Sequence, residues 1–204
     1  MHSSDLPHPA PVPWRRWLLV TLIATLAAHA LDPLAWQHLR LPKVNDTDWG
    51  RMLRTLGYLP LWVVLAVVSR LQTGEAALRS YRTSLLVLAP LAGGLTAELL
   101  KLAIRRLRPD PEQFGYLFRT LAEGPLSNRG MGMPSSHVLV AFAGAAALGI
   151  LFPRLRWLAV ILATGCALTR VLALGHFLSD TVVAACLGWL VAHLVAGALA
   201  RRAT

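Results

Sequence analysis

The sequence predicts an all-α membrane protein, a six-span transmembrane helix bundle that forms a single domain over residues 15–204. Two observations lead to this prediction. The chain is 55% hydrophobic and only 15% charged, whereas a soluble domain carries about 25% charged residues. The hydrophobic residues are also gathered into six long segments, and a spanning helix needs about 20 mostly apolar residues. The remaining polar chain is too short to cover six such segments in water.

The six apolar segments are separated by polar connections of different lengths. In chain order they are residues 17–36, 55–71, 83–104, 137–152, 155–174 and 177–200. The fourth is the shortest and is ended by Pro153. Prolines occupy every second position from 7 to 13 and oppose a helix in the first thirteen residues, so we expect a disordered tail over residues 1–14. The first segment resembles a cleavable signal peptide, but its apolar run continues to Trp36, so we interpret it as a retained helix.

The net charge of +10 does not indicate a nucleic-acid-binding protein. The arginines lie mostly at the ends of apolar segments, where they anchor helices to lipid head groups. We therefore expect the phospholipid bilayer and a membrane lipid as partners, with no nucleic acid and no protein partner implied. Cys166 and Cys186 lie inside apolar segments without metal-ligand spacing, so neither a metal nor another cofactor is predicted.

Ionisable residues within apolar segments suggest a functional site, because their burial in hydrocarbon costs several kcal/mol. Lys101 lies near the end of the third segment, His137 opens the fourth and Arg170 lies near the end of the fifth. His176 and Asp180 flank the start of the sixth. In a bundle of alternating helices, all of these positions reach the same membrane face. With the N-terminus inside the cell, that face is the outside.

The residue types at this face suit a phosphate group. Lys101, Arg108 and Arg170 are cations that can hold phosphate oxygens. Ser135 and Ser136 lie at a helix start, where free backbone N–H groups favour an anion. Two histidines then lie beside one phosphate site, so that one can attack phosphorus and the other can protonate a leaving group.

Three sequence motifs carry these residues: KLAIRRLRP at 101–109, PSSH at 134–137 and TRVLALGHFLSD at 169–180. In order and spacing they resemble the signature motifs of the type 2 phosphatidic acid phosphatase superfamily. The resemblance implies that His176 is a nucleophile that forms a phosphohistidine, that Asp180 supports it, and that His137 is the general acid. It also implies a phosphate site without metal, formed by the remaining motif residues Lys101, Arg108, Ser135, Ser136 and Arg170.

Two residues depart from the usual motifs. Ser136 stands where the superfamily usually has glycine, which allows the closest approach of backbone to phosphate. Thr169 stands where the third motif often has serine, and it keeps the hydroxyl group. Neither departure removes a catalytic group, so we expect an active enzyme.

The implied function is hydrolysis of a lipid phosphate or diphosphate, of the undecaprenyl diphosphate, phosphatidylglycerophosphate or phosphatidic acid type. The implied location is the bacterial inner membrane, with an extracytoplasmic-side active site. A lipid phosphotransferase could use the same residues, and a small membrane transporter is a weaker alternative. Singly, the residues also have structural interpretations, such as a Lys101–Glu98 pair or an Arg170–Asp180 pair.

The longest connection, residues 105–136, carries apolar residues at helical spacing: Phe114, Leu117, Phe118 and Leu121. This spacing predicts one apolar stripe, if the segment is helical, on a lid or on an interfacial lipid guide. His29 and His193 are set apart from the cluster; His193 lies thirteen residues beyond Asp180, about 20 Å along a helix.

Overall fold

The structure is a computed structural model that describes residues 12–203. The described chain folds into α1 (Trp14–His38), α2 (Asp48–Thr55), α3 (Leu59–Gln72), α4 (Ala76–Ile104), α5 (Ser136–Leu151), α6 (Arg156–Leu172) and α7 (Leu178–Ala203). Between residues 12 and 203 there are two short 3-10 turns, Val44–Asp46 and Pro153–Leu155, and no strand longer than an isolated bridge. The all-α prediction is therefore confirmed for this range. Residues 1–11 of the predicted tail lie outside it.

Several of these helices are long and apolar enough to cross a membrane. By length and composition, α1, α4, α7 and the segment Pro153–Leu172 qualify as spans. Helices α2 and α3 qualify only together, and they are bent by 66° at the break between them. Helix α5 has 16 residues, a length of about 24 Å against a hydrocarbon core of about 30 Å. The protein is thus a multi-pass membrane protein with four or five candidate spans, where the sequence predicted six.

Helix α5 packs against α4, α6 and α7 and lies at the centre of the bundle. Its small residues allow this, because they let neighbouring backbones approach closely. A Cβ atom at Gly144 would lie 2.2 Å from the Trp62 ring of α3, and one at Gly188 of α7 would lie 2.7 Å from the Leu139 carbonyl oxygen. The N-terminus of α5 is consequently surrounded by the ends of other helices.

The connection between α4 and α5 is not helical, so the apolar stripe expected for a helix does not form. Arg105 adopts a left-handed conformation (φ 60°) at the end of α4, and its guanidinium donates to carbonyl oxygens of the loop, among them Thr120 at 2.7 Å. The loop then folds back on itself and forms isolated antiparallel β-bridges, one of them between Arg106 and Phe118. Phe114 packs inward against Phe177, with ring centroids 5.9 Å apart. The other three stripe residues are exposed: Leu117, Phe118 and Leu121.

Candidate active site

The starts of α5 and α7 meet the ends of α4 and α6 at one end of the bundle. The backbone N–H of Ser135, which precedes α5, donates to the Asp180 carbonyl oxygen of α7 at 3.3 Å. His137 lies within electrostatic range of Lys101, Arg170 and His176. The structure thus brings the sequence-predicted residues of α4, α5, α6 and α7 to one place.

His176 is buried, and its environment fixes which ring nitrogen carries the hydrogen. Its Nδ1 lies 2.8 Å from the carbonyl oxygen of Gly132. A carbonyl oxygen only accepts hydrogen bonds, so Nδ1 donates and Nε2 keeps an unshared electron pair. Burial lowers the pKa of His176 below its ordinary value, and the Asp180 carboxylate opposes this shift. The neutral imidazole is therefore the favoured form.

Asp180 lies close to His176, but its hydrogen bonds go elsewhere. Its Oδ2 is 3.7 Å from Nδ1 of His176 and accepts the backbone N–H of Phe177 at 2.9 Å. Because Asp180 is the third residue of α7, this contact is the acidic half of a capping box. Its Oδ1 forms a buried ion pair with Arg106. Arg106 is thus the partner that the sequence interpretation missed, in place of the considered Arg170–Asp180 pair.

Arg106 is enclosed on every side. Its Nη2 donates to the Ser179 hydroxyl at 2.7 Å, and its Nη1 lies 3.2 Å from Nε2 of His29. The rings of Tyr116 and Phe177 lie 4.9 Å and 5.2 Å from its Cζ atom, so cation–π contacts add to the hydrogen bonds. The donors of Arg106 are thus directed at groups within the protein. The motif that contains three arginines gives no indication of which one is internal.

Helix α1 contributes a second buried carboxylate, Asp32, which the sequence interpretation overlooked. Asp32 accepts hydrogen bonds from the Ser179 backbone N–H at 2.9 Å, from the Ser179 hydroxyl at 2.5 Å and from the Tyr116 hydroxyl at 2.8 Å. Asp32 is the acceptor in all three hydrogen bonds, as an ionised carboxylate must be. Burial, together with the Asp32 carboxylate, raises the pKa of Tyr116 above its ordinary value. His29, which had been set apart from the cluster, contacts it through Arg106.

Lys101 is held by a second polar group at the other side of the site. Its ammonium donates to Glu98 at 2.9 Å and to the hydroxyl of Ser136. The Ser136 hydroxyl in turn donates to Glu98 at 2.6 Å, and Asn128 donates to the other carboxylate oxygen at 2.6 Å. The Lys101–Glu98 pair considered from sequence is therefore present. An ammonium has three hydrogens, so one remains for a further acceptor.

Three buried polar atoms of the predicted site have no hydrogen-bond partner among residues 12–203: Ser135 Oγ, His137 Nε2 and Arg170 Nε. Buried polar groups are nearly always hydrogen-bonded, so each exception needs an explanation. The His137 ring packs edge-on against Tyr58, with centroids 4.8 Å apart. A Cβ atom at Gly57 would lie 2.6 Å from the Cβ of His137, so only glycine permits this approach.

The comparison with protein families decides the assignment. Residues 82–203 match the family model described as the PAP2 superfamily. The chain belongs to the PAP2 superfamily. The resemblance inferred from the three motifs is thereby confirmed.

Two bacterial proteins are similar to this PAP2 chain, one in sequence and one in structure. A lipid A 1-phosphatase of Rhizobium etli is 35% identical over 96 residues, which is 47% of this chain. The match spans only 40% of that relative's length. The crystal structure of a transmembrane PAP2 type phosphatidylglycerolphosphate phosphatase from Bacillus subtilis superposes with a TM-score of 0.60 and 23% identity. It covers 88% of this chain and 92% of its own, which shows a shared fold.

The PAP2 match begins at residue 82, so α1, α2 and α3 lie outside it, and with α1 so do Asp32 and His29. Within the match, Arg108 is exposed, and its charge acts on both His176 and Arg170. Residues 12–203 contain no group of three or more His, Cys, Asp or Glu side chains arranged to hold a metal ion.

Proposed function

We propose that this protein is an integral membrane phosphatase that hydrolyses a lipid phosphate or diphosphate through a phosphohistidine intermediate, without a metal ion. The observation that carries the proposal is the set of three unpartnered buried atoms, on Ser135, His137 and Arg170, around His176. Donors that find no acceptor in the protein suit the oxygens of a phosphate group. Membership of the PAP2 superfamily supports the same chemistry.

The phosphoryl oxygens bind to the guanidinium groups of Arg170 and Arg108, to the remaining hydrogen of Lys101 and to the Ser135 hydroxyl. The first N–H groups of α5 have no acceptor within the helix and add to this site. The Ser136 hydroxyl is directed at Glu98, so this residue contributes through its backbone and by holding Lys101. These fixed cations supply the charge stabilisation that a metal provides in other phosphoryl-transfer enzymes.

The reaction proceeds in two steps. The lone pair of His176 Nε2 forms a bond to phosphorus while the bond from phosphorus to the lipid oxygen breaks. His137 donates a proton to that oxygen, and the lipid alcohol or lipid phosphate leaves. Water then attacks the phosphohistidine, gives a proton to His137 and releases inorganic phosphate together with neutral His176. Throughout, Nδ1 of His176 is held by the Gly132 carbonyl, with the Asp180 carboxylate nearby.

We also propose that the chain crosses the membrane six times, with α2 and α3 as one bent span and α5 as a short span enclosed by the others. The site then faces the extracytoplasmic side of a bacterial inner membrane. The experiment is labelling of intact cells with a membrane-impermeant maleimide. An Asp110→Cys protein is expected to react and an Arg154→Cys protein is not, with the parent protein as the control for its two cysteines. The reverse pattern contradicts this orientation.

The catalytic proposal is tested by phosphate release from purified protein in detergent, with EDTA present. The panel contains lipid A 1-phosphate, phosphatidylglycerophosphate, phosphatidic acid and undecaprenyl diphosphate. We expect release from at least one lipid and a loss of at least about 1,000-fold in His176→Ala, typical for removal of a nucleophile. His193→Ala is the matched control, because His193 binds the Trp189 carbonyl within α7, away from the site.

Full activity of His176→Ala, or no release from any lipid by the intact protein, contradicts the proposal. Transfer of phosphate to an added alcohol without release would instead identify a phosphotransferase.

A further inference from the structure

A fourth cation, Arg54, borders the proposed phosphate site. It lies in the last turn of α2, and its Nε is buried without a hydrogen-bond partner among residues 12–203. Its charge acts on both His137 and Arg170. Arg54 precedes the segment that matches the PAP2 family model, and the three motifs do not include it.

Packing holds Arg54 in this position. Its guanidinium carbon lies 5.7 Å from the centroid of the Tyr58 ring, which packs in turn against His137. Helix α2 is itself fixed to α6, since a Cβ atom at Gly165 would lie 2.8 Å from the Leu53 side chain. Arg54 is thus presented by a docked helix, and the Tyr58 ring lies against both Arg54 and the histidine that protonates the leaving group.

The positive charges around the proposed phosphate site exceed what one phosphate monoester needs. Lys101, Arg108, Arg170 and Arg54 are four cations, and the Glu98 carboxylate that contacts Lys101 offsets one of them. A phosphate monoester carries roughly 1.5 to 2 negative charges at pH 7. A diphosphate adds a second anionic group, which matches the remaining positive charge. Partly buried cations that lie close together are costly without such an anion.

We propose that Arg54 binds the phosphate that is not transferred, and that the preferred substrate of this protein is a lipid diphosphate. The proposal rests on the proposed function. When the terminal phosphorus bonds to His176 Nε2, its bond to the bridging oxygen breaks, and a lipid monophosphate leaves with the proton from His137. The leaving phosphate must therefore lie beside His137, where Arg54 lies, and Arg54 stabilises the charge that develops on it.

The test compares farnesyl diphosphate with farnesyl monophosphate, which share one tail, as substrates for the intact protein and for Arg54→Met. We expect the intact protein to prefer the diphosphate. In Arg54→Met, we expect kcat/KM for the diphosphate to fall by about 10- to 100-fold, which is the effect of losing one hydrogen bond to a charged group. The kcat/KM for the monophosphate is expected to fall much less. Arg54→Lys recovers part of the loss because it keeps the charge without the planar fork.

Arg51→Met is the matched control, because Arg51 is an exposed arginine of the same helix that pairs with Asp48. Equal losses on both substrates, no loss on the diphosphate, or a monophosphate preference of the intact protein would overturn the role of Arg54. Failure of the proposed function gives a different result, namely phosphate release that persists in His176→Ala.

Discussion

Arg106 and Asp180 form an ion pair between residues 74 positions apart, with both side chains almost completely buried. The pair links the loop after α4 to the first turn of α7. It holds the carboxylate that lies beside His176, so the position of the proposed nucleophile depends on a residue that does not contact it. A buried ion pair contributes little net stability when intact, but the loss of one partner is strongly destabilising.

Replacing Arg106 with Gln is therefore expected to destabilise the protein severely. The substitution leaves the buried carboxylate of Asp180 without its cation, at a cost of about 3–5 kcal/mol. Arg106→Lys keeps the charge but not the fork that reaches Asp180 and Ser179 together, so its effect is intermediate. Denaturant unfolding in detergent measures the free energy of unfolding of both variants. The exposed Arg51→Gln is the control, and an Arg106→Gln protein within about 0.5 kcal/mol of that control contradicts the argument.

The hydrogen bonds to Asp32 predict coupling between α1 and the loop. Asp32→Asn replaces one accepting oxygen by a donor, which then faces Ser179 or Tyr116, and Tyr116→Phe removes one of the three donors. We expect each single substitution to cost about 1–3 kcal/mol. In the double variant the effects are expected to deviate from additivity by more than about 0.5 kcal/mol, because the two side chains share one hydrogen bond. Additive effects in a double-mutant cycle of unfolding free energies would contradict this coupling.

The meeting of Lys101, His137, Arg170 and His176 at one end of the bundle could be predicted from sequence, because an ionisable residue in an apolar helix is costly and therefore conspicuous. Their partners could not, since the contacts join distant positions: Ser179 meets Asp32 across 147 residues. The helical stripe after α4 failed for a local reason. Arg105 turns the chain into the left-handed region and binds loop carbonyls, so tertiary hydrogen bonds outweigh the apolar spacing.

The number of spans could likewise be predicted only in part. Each of the six apolar segments is mainly helical, but α5 is shorter than a bilayer crossing, and the second segment is divided between the separate helices α2 and α3. Local hydrophobicity does not reveal that α5 is enclosed by other helices. A helix so enclosed does not have to match the hydrocarbon thickness by itself.

The carboxylate of Glu98 predicts a change in phosphate affinity. Because Glu98 neutralises Lys101, Glu98→Gln leaves more positive charge for an anion. We expect the inhibition constant for inorganic phosphate to fall about 3- to 10-fold, an electrostatic effect of about 1 kcal/mol at a partly exposed site. Glu112→Gln in the exposed part of the loop is the control. An unchanged or higher inhibition constant in Glu98→Gln would show that Lys101 does not hold phosphate.

The protonation of His176 predicts the acidic side of the pH profile. The attacking Nε2 requires the neutral ring, and burial places the pKa of His176 below the ordinary value of about 6.5. As pH falls, the loss of kcat/KM that protonation of His176 causes is therefore expected only below pH 6.5, where the ring takes a proton. The Asp180 carboxylate raises this pKa, so Asp180→Asn moves the decline to still lower pH, even though its maximum activity is reduced. The profile of His193→Ala should follow that of the intact protein. A decline at higher pH in Asp180→Asn would mean that His176 is not the group that titrates.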